Sequence, residues 1–281
     1  MALPDFLIIG AMKCGTSTLQ AQLAHQPGVF MTTPKEPNYF SDDPVFAKGQ
    51  AWYEALFAEA APDDLKGEAS THYTKLPTHP ETIARMRVVL TTPRLIYMIR
   101  DPMSRAISHY IHGWSEGRFG PDAAEAFRQT PELVEYGCYG MQIAPYVEAY
   151  GADRIHLTSL EQVNADPEAE FGRIAAFLGL PEGTVWIHDL PAQNVSARRV
   201  RRLPLQGLLI DNPVATALRR ALVPKSIRSR VRAQRTLADR PEIPPDLQVR
   251  LESRFLEDRA QLARLFPDHP ALELCYPFAR T

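Results

Sequence analysis

The sequence from residue 6 to residue 19 reads FLIIGAMKCGTSTL and joins three local patterns. Phe6 to Ile9 form an apolar run that ends at Gly10, which is typical of a buried parallel strand. Residues 17–25 carry leucines at four-residue spacing, and this spacing predicts a helix. A strand, a glycine-bounded loop and a helix in this order are the phosphate-binding unit of α/β folds.

The loop of this unit differs from the loop that binds ATP in kinases. In the kinase pattern a lysine directly follows the second glycine and reaches the β- and γ-phosphates, and a Ser or Thr then contacts magnesium. Here Thr16 follows Gly15, and the lysine stands earlier, at Lys13. Because Gly15 permits a tight turn and the helix N-terminus offers N–H groups, the backbone can still hold a phosphate. The pattern predicts a site for one terminal phosphate, and it is poorly suited to a triphosphate with Mg²⁺.

Two more strand-then-helix units follow along the chain. Leu95 to Ile99 is an apolar run that leads through Arg100 into a helical pattern containing Ser108. Residues 155–157 predict a third strand, and residues 167–178 predict the helix after it. Strands that alternate with helices form parallel sheets with helices on both faces. We therefore predict an α/β, P-loop-like three-layer fold with a central parallel sheet flanked by helices.

The length of 281 residues fits a single α/β domain. A hydrophobic content of 45% with 23% charged residues is ordinary for a globular protein. The sequence changes character after about residue 194, where a basic segment with weak periodicity begins. We predict a nucleotide-binding core over residues 1–194. Over residues 195–281 we predict a basic loop and C-terminal helices, including an amphipathic helix at residues 247–266.

The net charge is small, but the basic residues are unevenly distributed. A formal charge of −2 gives no reason to expect nucleic-acid binding. Between Arg198 and Arg240, however, basic residues crowd together against only two acidic ones, Asp211 and Asp239. This Arg-rich segment has two interpretations: a solvated basic face, or a site for an anionic ligand such as an acidic acceptor or a membrane surface.

The cysteine pattern and the apolar segments bear on the compartment. Cys14, Cys138 and Cys275 are widely spaced, so they form no disulfide framework or zinc pattern, and a reducing compartment is the simpler interpretation. The N-terminal apolar run is too short for a signal peptide and follows no basic region. No stretch approaches the roughly 20 apolar residues of a membrane span. We expect a cytoplasmic protein without integral membrane association.

The loop at residues 10–18 resembles the 5′-phosphosulfate loop of the sulfotransferases that use 3′-phosphoadenosine 5′-phosphosulfate (PAPS). Their motif, Lys-x-Gly-Thr-Thr/Ser after a strand, is matched by residues 13–17. The resemblance implies that Lys13 contacts the 5′-phosphosulfate and stabilises charge on the leaving phosphate. It also implies that the remaining loop residues bind the same group: Cys14, Gly15, Thr16, Ser17 and Thr18.

Residues 95–110 resemble the segment that binds the nucleotide 3′-phosphate in that family. There an arginine at the end of a strand and a serine on the following helix contact the phosphate, and the matching residues are Arg100 and Ser108. A planar guanidinium and a hydroxyl suit a dianionic phosphate. The alternative is that Arg100 forms a structural ion pair with Asp101.

Residues 33–40 resemble the Glu-Pro-x-x-Phe segment of the heparan-sulfate-type sulfotransferases and their bacterial relatives. Residues 48–53 also match their Lys-Gly-x-x-Trp-Tyr element. The resemblance implies that Glu36 is the catalytic base, which takes the proton from the acceptor as the acceptor attacks sulfur. The alternative is that Glu36 caps a turn in a proline-rich surface loop.

Two other residues are alternative bases. Glu68 lies in a segment that resembles the family's Glu-Lys-Ser/Thr-Pro-x-Tyr stretch, but Ala69 replaces the lysine. The positive contact that this lysine would make is therefore absent, or another residue such as Lys35 or Lys75 supplies it. His72 is the third candidate, because another branch of the superfamily uses histidine as the base.

Three further residues are weaker candidates for nucleotide contacts. Tyr139 lies in a segment that resembles the family's Gly-x-Tyr element near the nucleotide, although core packing explains this tyrosine equally well. The Arg-rich segment stands where family members carry a loop that closes over the 3′-phosphate. On that basis Arg198 or Arg199 is expected to contact the phosphate.

Together these motifs predict an enzyme that transfers the sulfuryl group of PAPS to a hydroxyl or amine by in-line displacement, with 3′,5′-ADP as product and no metal required. The acceptor is open among carbohydrates, lipids, phenols and small alcohols, and the resemblance favours a carbohydrate-like or other polar small molecule. A nucleotide kinase with a variant P-loop is one alternative, but Lys13 is misplaced for it and no strand ends in a clear magnesium-binding Asp. The other alternative is a nucleotide-binding protein that has lost catalysis.

Overall fold

The computed structural model of the chain describes residues 3–181, 183–190 and 240–280. Its strands are all parallel and form one sheet in the order β2-β3-β1-β4-β5. This sheet confirms the predicted α/β class with a central parallel sheet. The strands are β1 Phe6–Gly10, β2 Val29–Met31, β3 Leu65–Ala69, β4 Arg94–Ile99 and β5 Ile155–Ser159.

Helices cover both faces of the sheet, and short 3₁₀ turns lie at Thr71–Thr74, Ala152–Arg154 and Pro277–Arg280. Within the described ranges, we find no helix with the length and apolar character needed to cross a membrane. The helices of these ranges are α1 Thr16–Ala24, α2 Asp43–Phe46, α3 Gln50–Ala55, α4 Thr82–Val89, α5 Pro102–Ser115, α6 Ala123–Gln129, α7 Glu132–Glu135, α8 Tyr139–Tyr150, α9 Leu160–Ala165, α10 Pro167–Leu178, α11 Pro245–Leu265 and α12 Ala271–Leu274.

The central position of β1 explains why its sequence is apolar throughout. Successive side chains of a strand point to opposite faces of the sheet, so a strand covered on both faces has no polar side. Phe6 and Ile8 pack with the apolar residues of α1 and α10 on one face. Leu7 and Ile9 pack on the other face with residues of α5, α8 and α11. The three layers are therefore helices, sheet and helices, as predicted.

The predicted helices agree with the observed ones to within about two residues. Residues 167–178 form α10 as predicted, and the C-terminal helix runs from 245 to 265. Local signals set the bounds of α10. Asp166 accepts a hydrogen bond from the Ala169 N–H, Pro167 occupies the first turn, and Gly179 ends the helix in the left-handed region with φ 70°.

The sequence patterns did not reveal β2 and β3. β2 has three residues, and β3 reads LKGEA, which lacks the apolar run of a buried strand. The tertiary packing explains this composition. A Cβ atom on Gly67 would lie 2.2 Å from the Phe6 ring, so only glycine fits beside β1. The next residue, Glu68, is fully buried because hydroxyl groups surround its carboxylate.

The C-terminal helix α11 is fastened to the core by Asp258. Both of its carboxylate oxygens accept hydrogen bonds from the start of α8, from the Gly140 N–H at 2.7 Å and the Met141 N–H at 2.8 Å. These N–H groups belong to a helix N-terminus, where no backbone partner exists within the helix. Because Asp258 is only 3% exposed, no water can replace it fully.

Replacing Asp258 by Ala should lower the free energy of unfolding by about 2–4 kcal/mol, because two buried N–H groups lose their acceptors. Urea denaturation of the purified protein measures the change. The matched control is Glu257→Ala on the same helix, whose side chain is 69% exposed. This control should change the stability by no more than about 0.5 kcal/mol. Equal effects of the two substitutions would contradict the role given to Asp258.

Candidate functional site

The loop after β1 is held in one conformation by its neighbours. The Ala11 N–H donates to the Met98 carbonyl at 2.7 Å, which ties the loop to the end of β4. Lys13 has φ 71° and Gly15 has φ 96°, so the chain turns twice through the left-handed region before α1 begins. A Cβ atom on Gly10 would lie 1.9 Å from the Thr74 hydroxyl, so that position also requires glycine.

The N-terminus of α1 is built to receive an anion. Its cap residue is Gly15, no side chain in the described structure caps it, and its first turn contains no acidic residue. The N–H groups and the positive end of the helix dipole therefore favour a negatively charged group there. Lys13, Gly15, Thr16, Ser17 and Thr18 all line the adjacent cleft.

Cys14 and Tyr139 lie beneath this loop rather than in the cleft. Both side chains are fully buried, and the Cys14 Sγ is 3.6 Å from the Tyr139 hydroxyl. Burial raises the pKa of the Cys14 thiol to about 11, so the thiol stays neutral. Neither side chain lines the cleft. A ligand in the cleft can therefore meet Cys14 only through its backbone.

Arg100 contacts the loop after β1, and Ser108 lines the same cleft. Arg100 follows β4, and its Nη1 donates to the Lys13 carbonyl at 3.3 Å. Its Nε is buried and has no hydrogen-bond partner among the described residues. Ser108 lies two turns into α5, is 6% exposed, and lines the same cleft. Buried guanidinium N–H groups need an acceptor, so this position favours an anionic ligand.

Asp101 has a structural role that excludes the alternative ion pair. Its side chain accepts a hydrogen bond from the Met103 N–H at 3.0 Å and so caps α5. Its own N–H donates to Glu161 at 2.9 Å. In the described ranges no salt bridge joins it to Arg100. The guanidinium of Arg100 is therefore left for the cleft.

A cleft of about 1380 Å³ joins these residues with the segments after β2 and β3. It lies at the carboxyl ends of the parallel strands, where α/β folds bind their ligands. The predicted site residues Glu36 and His72 also line it, whereas Glu68 does not. Arg198 and Arg199 lie outside the described residues. The other side chains that line it include Lys35, Thr71, Lys75, Thr78, His79, His109, His112, Glu116, Arg118, Phe119, Glu132 and Tyr136.

Glu36 presents a carboxylate to the cleft. Its Oε1 accepts hydrogen bonds from Lys35 Nζ at 2.9 Å and from the Thr71 hydroxyl at 3.1 Å. No described residue donates to its Oε2, and the side chain is 34% exposed. Burial acts to raise the pKa of Glu36, but the charge of Lys35 and the two hydrogen bonds outweigh it and lower the pKa. Glu36 is therefore ionised at neutral pH and can accept a proton at Oε2.

Glu68 is enclosed instead. Its Oε1 accepts hydrogen bonds from the Ser70 and Tyr73 hydroxyls, each at 2.6 Å, and its Oε2 accepts one from the Tyr53 hydroxyl. The side chain is fully buried, and burial raises its pKa although the three hydroxyls oppose this effect. Its side chain does not line the cleft. Glu68 therefore stabilises the buried aromatic residues Tyr53 and Tyr73 behind the cleft.

His72 lies at the rim of the cleft and is held by Asp42. Its Nδ1–H donates to Asp42 Oδ1 at 2.9 Å, and its ring stacks on that of His79 with centroids 4.9 Å apart. Potential ligand atoms of these three residues lie within 4.8 Å of one another, the one such group among the described residues. Imidazoles and a carboxylate suit a transition metal. The hydrogen bond from His72 to Asp42, the stacking of the two rings and the contact of His79 with the Ser41 carbonyl already account for its geometry.

Two residues that line the cleft were not named individually as site residues: Arg240, which ends the Arg-rich segment, and His109. Arg240, the first described residue after position 239, donates from Nη2 to the Ser104 hydroxyl at 2.9 Å. His109 lies one residue beyond Ser108 on α5 and is 4% exposed. The sequence contained two cues for Arg240: it ends the Arg-rich segment, and it lies just before the amphipathic C-terminal helix. A basic residue that precedes a docked helix is brought to the core with it.

Comparison with known proteins gives a consistent result. The profile of the sulfotransferase domain family matches residues 3–221. Mouse heparan sulfate glucosamine 3-O-sulfotransferase 3B1 is 30% identical over 190 residues, which cover 63% of this chain and 46% of that protein. Human heparan sulfate glucosamine 3-O-sulfotransferase 6 is 29% identical over 185 residues, with 63% and 52% coverage. The chain thus spans about half the length of these relatives.

Solved structures of the same fold extend over nearly the whole chain. A sulfotransferase from Alicyclobacillus acidocaldarius superposes with a TM-score of 0.68 at 23% identity, covering 97% of this chain and 99% of that one. The sulfotransferase domain from the curacin biosynthetic pathway superposes with a TM-score of 0.55 at 16% identity, covering 94% and 99%. At these identities the likeness concerns the fold.

The two glutamates should respond differently to the same substitution. Glu68→Gln should lower the free energy of unfolding by about 2–3 kcal/mol, because three buried hydroxyls lose a charged acceptor. Glu36→Gln should change it by no more than about 1 kcal/mol, because that carboxylate is partly exposed. Urea denaturation of both variants tests this. A stable Glu68→Gln protein would show that the buried network does not depend on the carboxylate.

Proposed function

The chain belongs to the family of PAPS-dependent sulfotransferases, and from this premise we propose that it transfers the sulfuryl group of PAPS to a hydroxyl or amine. One observation carries the proposal. A single cleft holds two separate positions for anions, one at Lys13 and the N-terminus of α1, the other at Arg100 and Ser108. PAPS carries two such groups, a 5′-phosphosulfate and a 3′-phosphate, on one nucleotide.

The proposal assigns each group of the donor to one position. The backbone and hydroxyls of residues 14–18 bind the 5′-phosphosulfate, together with Lys13. Arg100 and Ser108 bind the 3′-phosphate, and Arg100 contributes N–H groups that no described residue accepts. Arg240 lies at the same rim through its hydrogen bond to Ser104, and we assign it a supporting contact with the nucleotide.

The reaction then follows as an in-line displacement. Oε2 of Glu36 accepts the proton of the acceptor O–H or N–H while the oxygen or nitrogen forms its bond to sulfur. The bond between sulfur and the bridging oxygen breaks, and 3′,5′-ADP leaves with its electron pair. Lys13 and the helix N-terminus stabilise the charge that develops on the leaving phosphate.

The same residues argue against a kinase. A nucleotide kinase holds Mg²⁺ beside a lysine that directly follows the second glycine, and Thr16 occupies that position here. Asp101, the acidic residue near the end of β4, is engaged in capping α5. A sulfuryl group carries less charge than a phosphoryl group, so hydrogen bonds and one lysine suffice and the proposal needs no metal.

For the acceptor we propose a polar, carbohydrate-like molecule. The similar mouse and human proteins are named for glucosamine residues of heparan sulfate. The acceptor side of the cleft combines polar and aromatic side chains, among them Thr78, Phe119 and Tyr136. Such side chains contact the hydroxyls and the apolar faces of sugar rings.

Calorimetric titration with 3′,5′-ADP tests the donor site. The protein should bind 3′,5′-ADP at least about tenfold more tightly than 5′-AMP, since the 3′-phosphate gains charge-assisted hydrogen bonds. Arg100→Ala should remove most of this difference and leave the affinity for 5′-AMP nearly unchanged. Arg154→Ala, at an exposed arginine outside the cleft, is the matched control. Preference for ATP with Mg²⁺ over 3′,5′-ADP would overturn the proposal in favour of the kinase.

Glu36→Gln should leave the binding of 3′,5′-ADP intact and lower kcat by about 10²–10⁴-fold, the usual contribution of a general base. The rate is measured with any acceptor that the wild-type protein sulfates. If Glu68→Gln loses turnover while remaining folded and Glu36→Gln does not, Glu68 is the base instead.

The pH profile gives a second test of Glu36. Because the pKa of Glu36 is lowered, the base stays ionised as pH falls through the ordinary glutamate range. The acidic limb of kcat/KM should therefore lie below about pH 4.3, the usual value for glutamate. A limb near pH 6–7, the range typical of histidine, would point to a histidine base instead.

A further inference from the structure

Lys75 is a buried lysine in the wall of the cleft. It follows the 3₁₀ turn Thr71–Thr74, is only 8% exposed, and lines the cleft. Lysine side chains normally bury their stem and keep the ammonium group in water. A lysine that is almost fully buried is expected to have an ionic or hydrogen-bonding partner.

The described part of the chain supplies no such partner. None of its residues accepts a hydrogen bond from the Lys75 Nζ, which lies 5.8 Å from the centre of the Tyr136 ring. The acids around it are already paired. Glu36 binds Lys35 at 2.9 Å, Asp42 binds His72 at 2.9 Å, and Glu116 binds Arg118 at 2.9 Å.

His109 lies against the same ring and also lacks a partner. Its ring stacks on Tyr136 with centroids 5.6 Å apart and an angle of 14°. The side chain is 4% exposed and lines the cleft, and its Nδ1 finds no hydrogen-bond partner among the described residues. Two independent polar groups, both more than nine-tenths buried, thus face the cleft at one aromatic ring.

Positively charged side chains surround His109, and two of them, Arg105 and Arg118, also act on Lys75. Arg105 is fully buried one helical turn before His109, and its Nε and Nη1 have no partner in the described ranges. Burial lowers the pKa of Lys75 to about 8; Arg118 and Arg105 act in the same direction, while Glu36 and Asp42 oppose it. Burial, Arg105, Lys75 and Arg118 lower the pKa of His109 to about 2. An anion is the ligand that would relieve this repulsion.

We infer that Lys75, His109 and Tyr136 form a binding subsite for an oxyanion on the Glu36 side of the cleft. Lys75 would donate a charge-assisted hydrogen bond to the anion, and the ring N–H of His109 would donate a second one. This subsite shares the cleft with the loop at Lys13 and with Arg100 but is built from other residues. With the proposed function as its premise, the oxyanion is either the sulfonyl group of PAPS or an anionic group carried by the acceptor.

Titration with inorganic sulfate tests the subsite. The protein is first saturated with 3′,5′-ADP, so that both phosphate positions are filled, and sulfate binding is then measured by calorimetry. Lys75→Met should weaken sulfate binding at least about tenfold, the loss expected for one charge-assisted hydrogen bond. Lys75→Arg should retain it within about threefold, because the charge and a donor remain. Lys48→Met, at a lysine stacked on Trp52 outside the cleft, should leave it unchanged.

A stability measurement guards against a folding artefact. Lys75→Met removes a buried, unpaired charge, so its urea midpoint should equal or exceed that of the wild-type protein. Sulfate binding that is the same in Lys75→Met and in the wild-type protein would overturn the inference. A large loss of stability in Lys75→Met would also overturn it, because the lysine would then serve the fold.

Binding of PAPS and 3′,5′-ADP to Lys75→Met identifies the source of the oxyanion. If PAPS binds more weakly and 3′,5′-ADP does not, the subsite holds the sulfonyl group of the donor. If both bind normally and sulfate still binds to the PAPS-loaded wild-type protein, the subsite serves an anionic acceptor. Failure of 3′,5′-ADP to bind at all would count against the proposed function alone. In that case sulfate titration of the free protein, with Lys13→Ala compared against Lys75→Met, still tests the subsite.

Discussion

The parallel pairing of β1 with β4 determines where every later part of the site lies. In this register Ile8 stands beside Ile96, so the two strands end at the same edge of the sheet. The Ala11 N–H then reaches the Met98 carbonyl at 2.7 Å, and Arg100 reaches the loop carbonyl of Lys13 at 3.3 Å. The loop at Lys13 and the residue Arg100, about 90 residues apart in sequence, thereby line one cleft.

The environments of Glu36 and Glu68 differ, and this difference is the basis of the roles that we propose for the two residues. Glu36 stands at the cleft with Lys35 and Thr71 on one oxygen, which keeps it ionised and leaves the other oxygen for an acceptor. Glu68 is buried among three hydroxyls and holds the wall behind it. Since the two side chains are chemically the same, the division of roles comes from solvent access and hydrogen-bond donors alone.

The tertiary structure also decides which residue brings positive charge to the Glu36 region of the cleft. Ala69 stands where the resemblance to the family's Glu-Lys-Ser/Thr-Pro-x-Tyr stretch predicts a lysine, and that position lies at the buried end of β3. Lys75 lines the cleft from the turn that follows β3. The charge of Glu36 acts on it, and its Nζ lies 5.8 Å from the centre of the Tyr136 ring. Lys75, on the turn after β3, can therefore supply a positive charge to the cleft although Ala69 at the end of β3 cannot.

The sequence by itself determined the class of fold, the loop after β1, the units around β4 and β5, and helices α10 and α11. These features rest on local patterns, namely apolar runs, helical spacing, caps and glycines, which act over a few residues. It did not reveal β3, whose sequence LKGEA makes sense only beside Phe6 and a ring of hydroxyls. Only the tertiary structure decided that Glu68 is enclosed, that Cys14 and Tyr139 lie under the loop, and that Lys75 has no acidic partner among the described residues. Burial and charge pairing depend on residues far apart in the chain, and no local pattern records them.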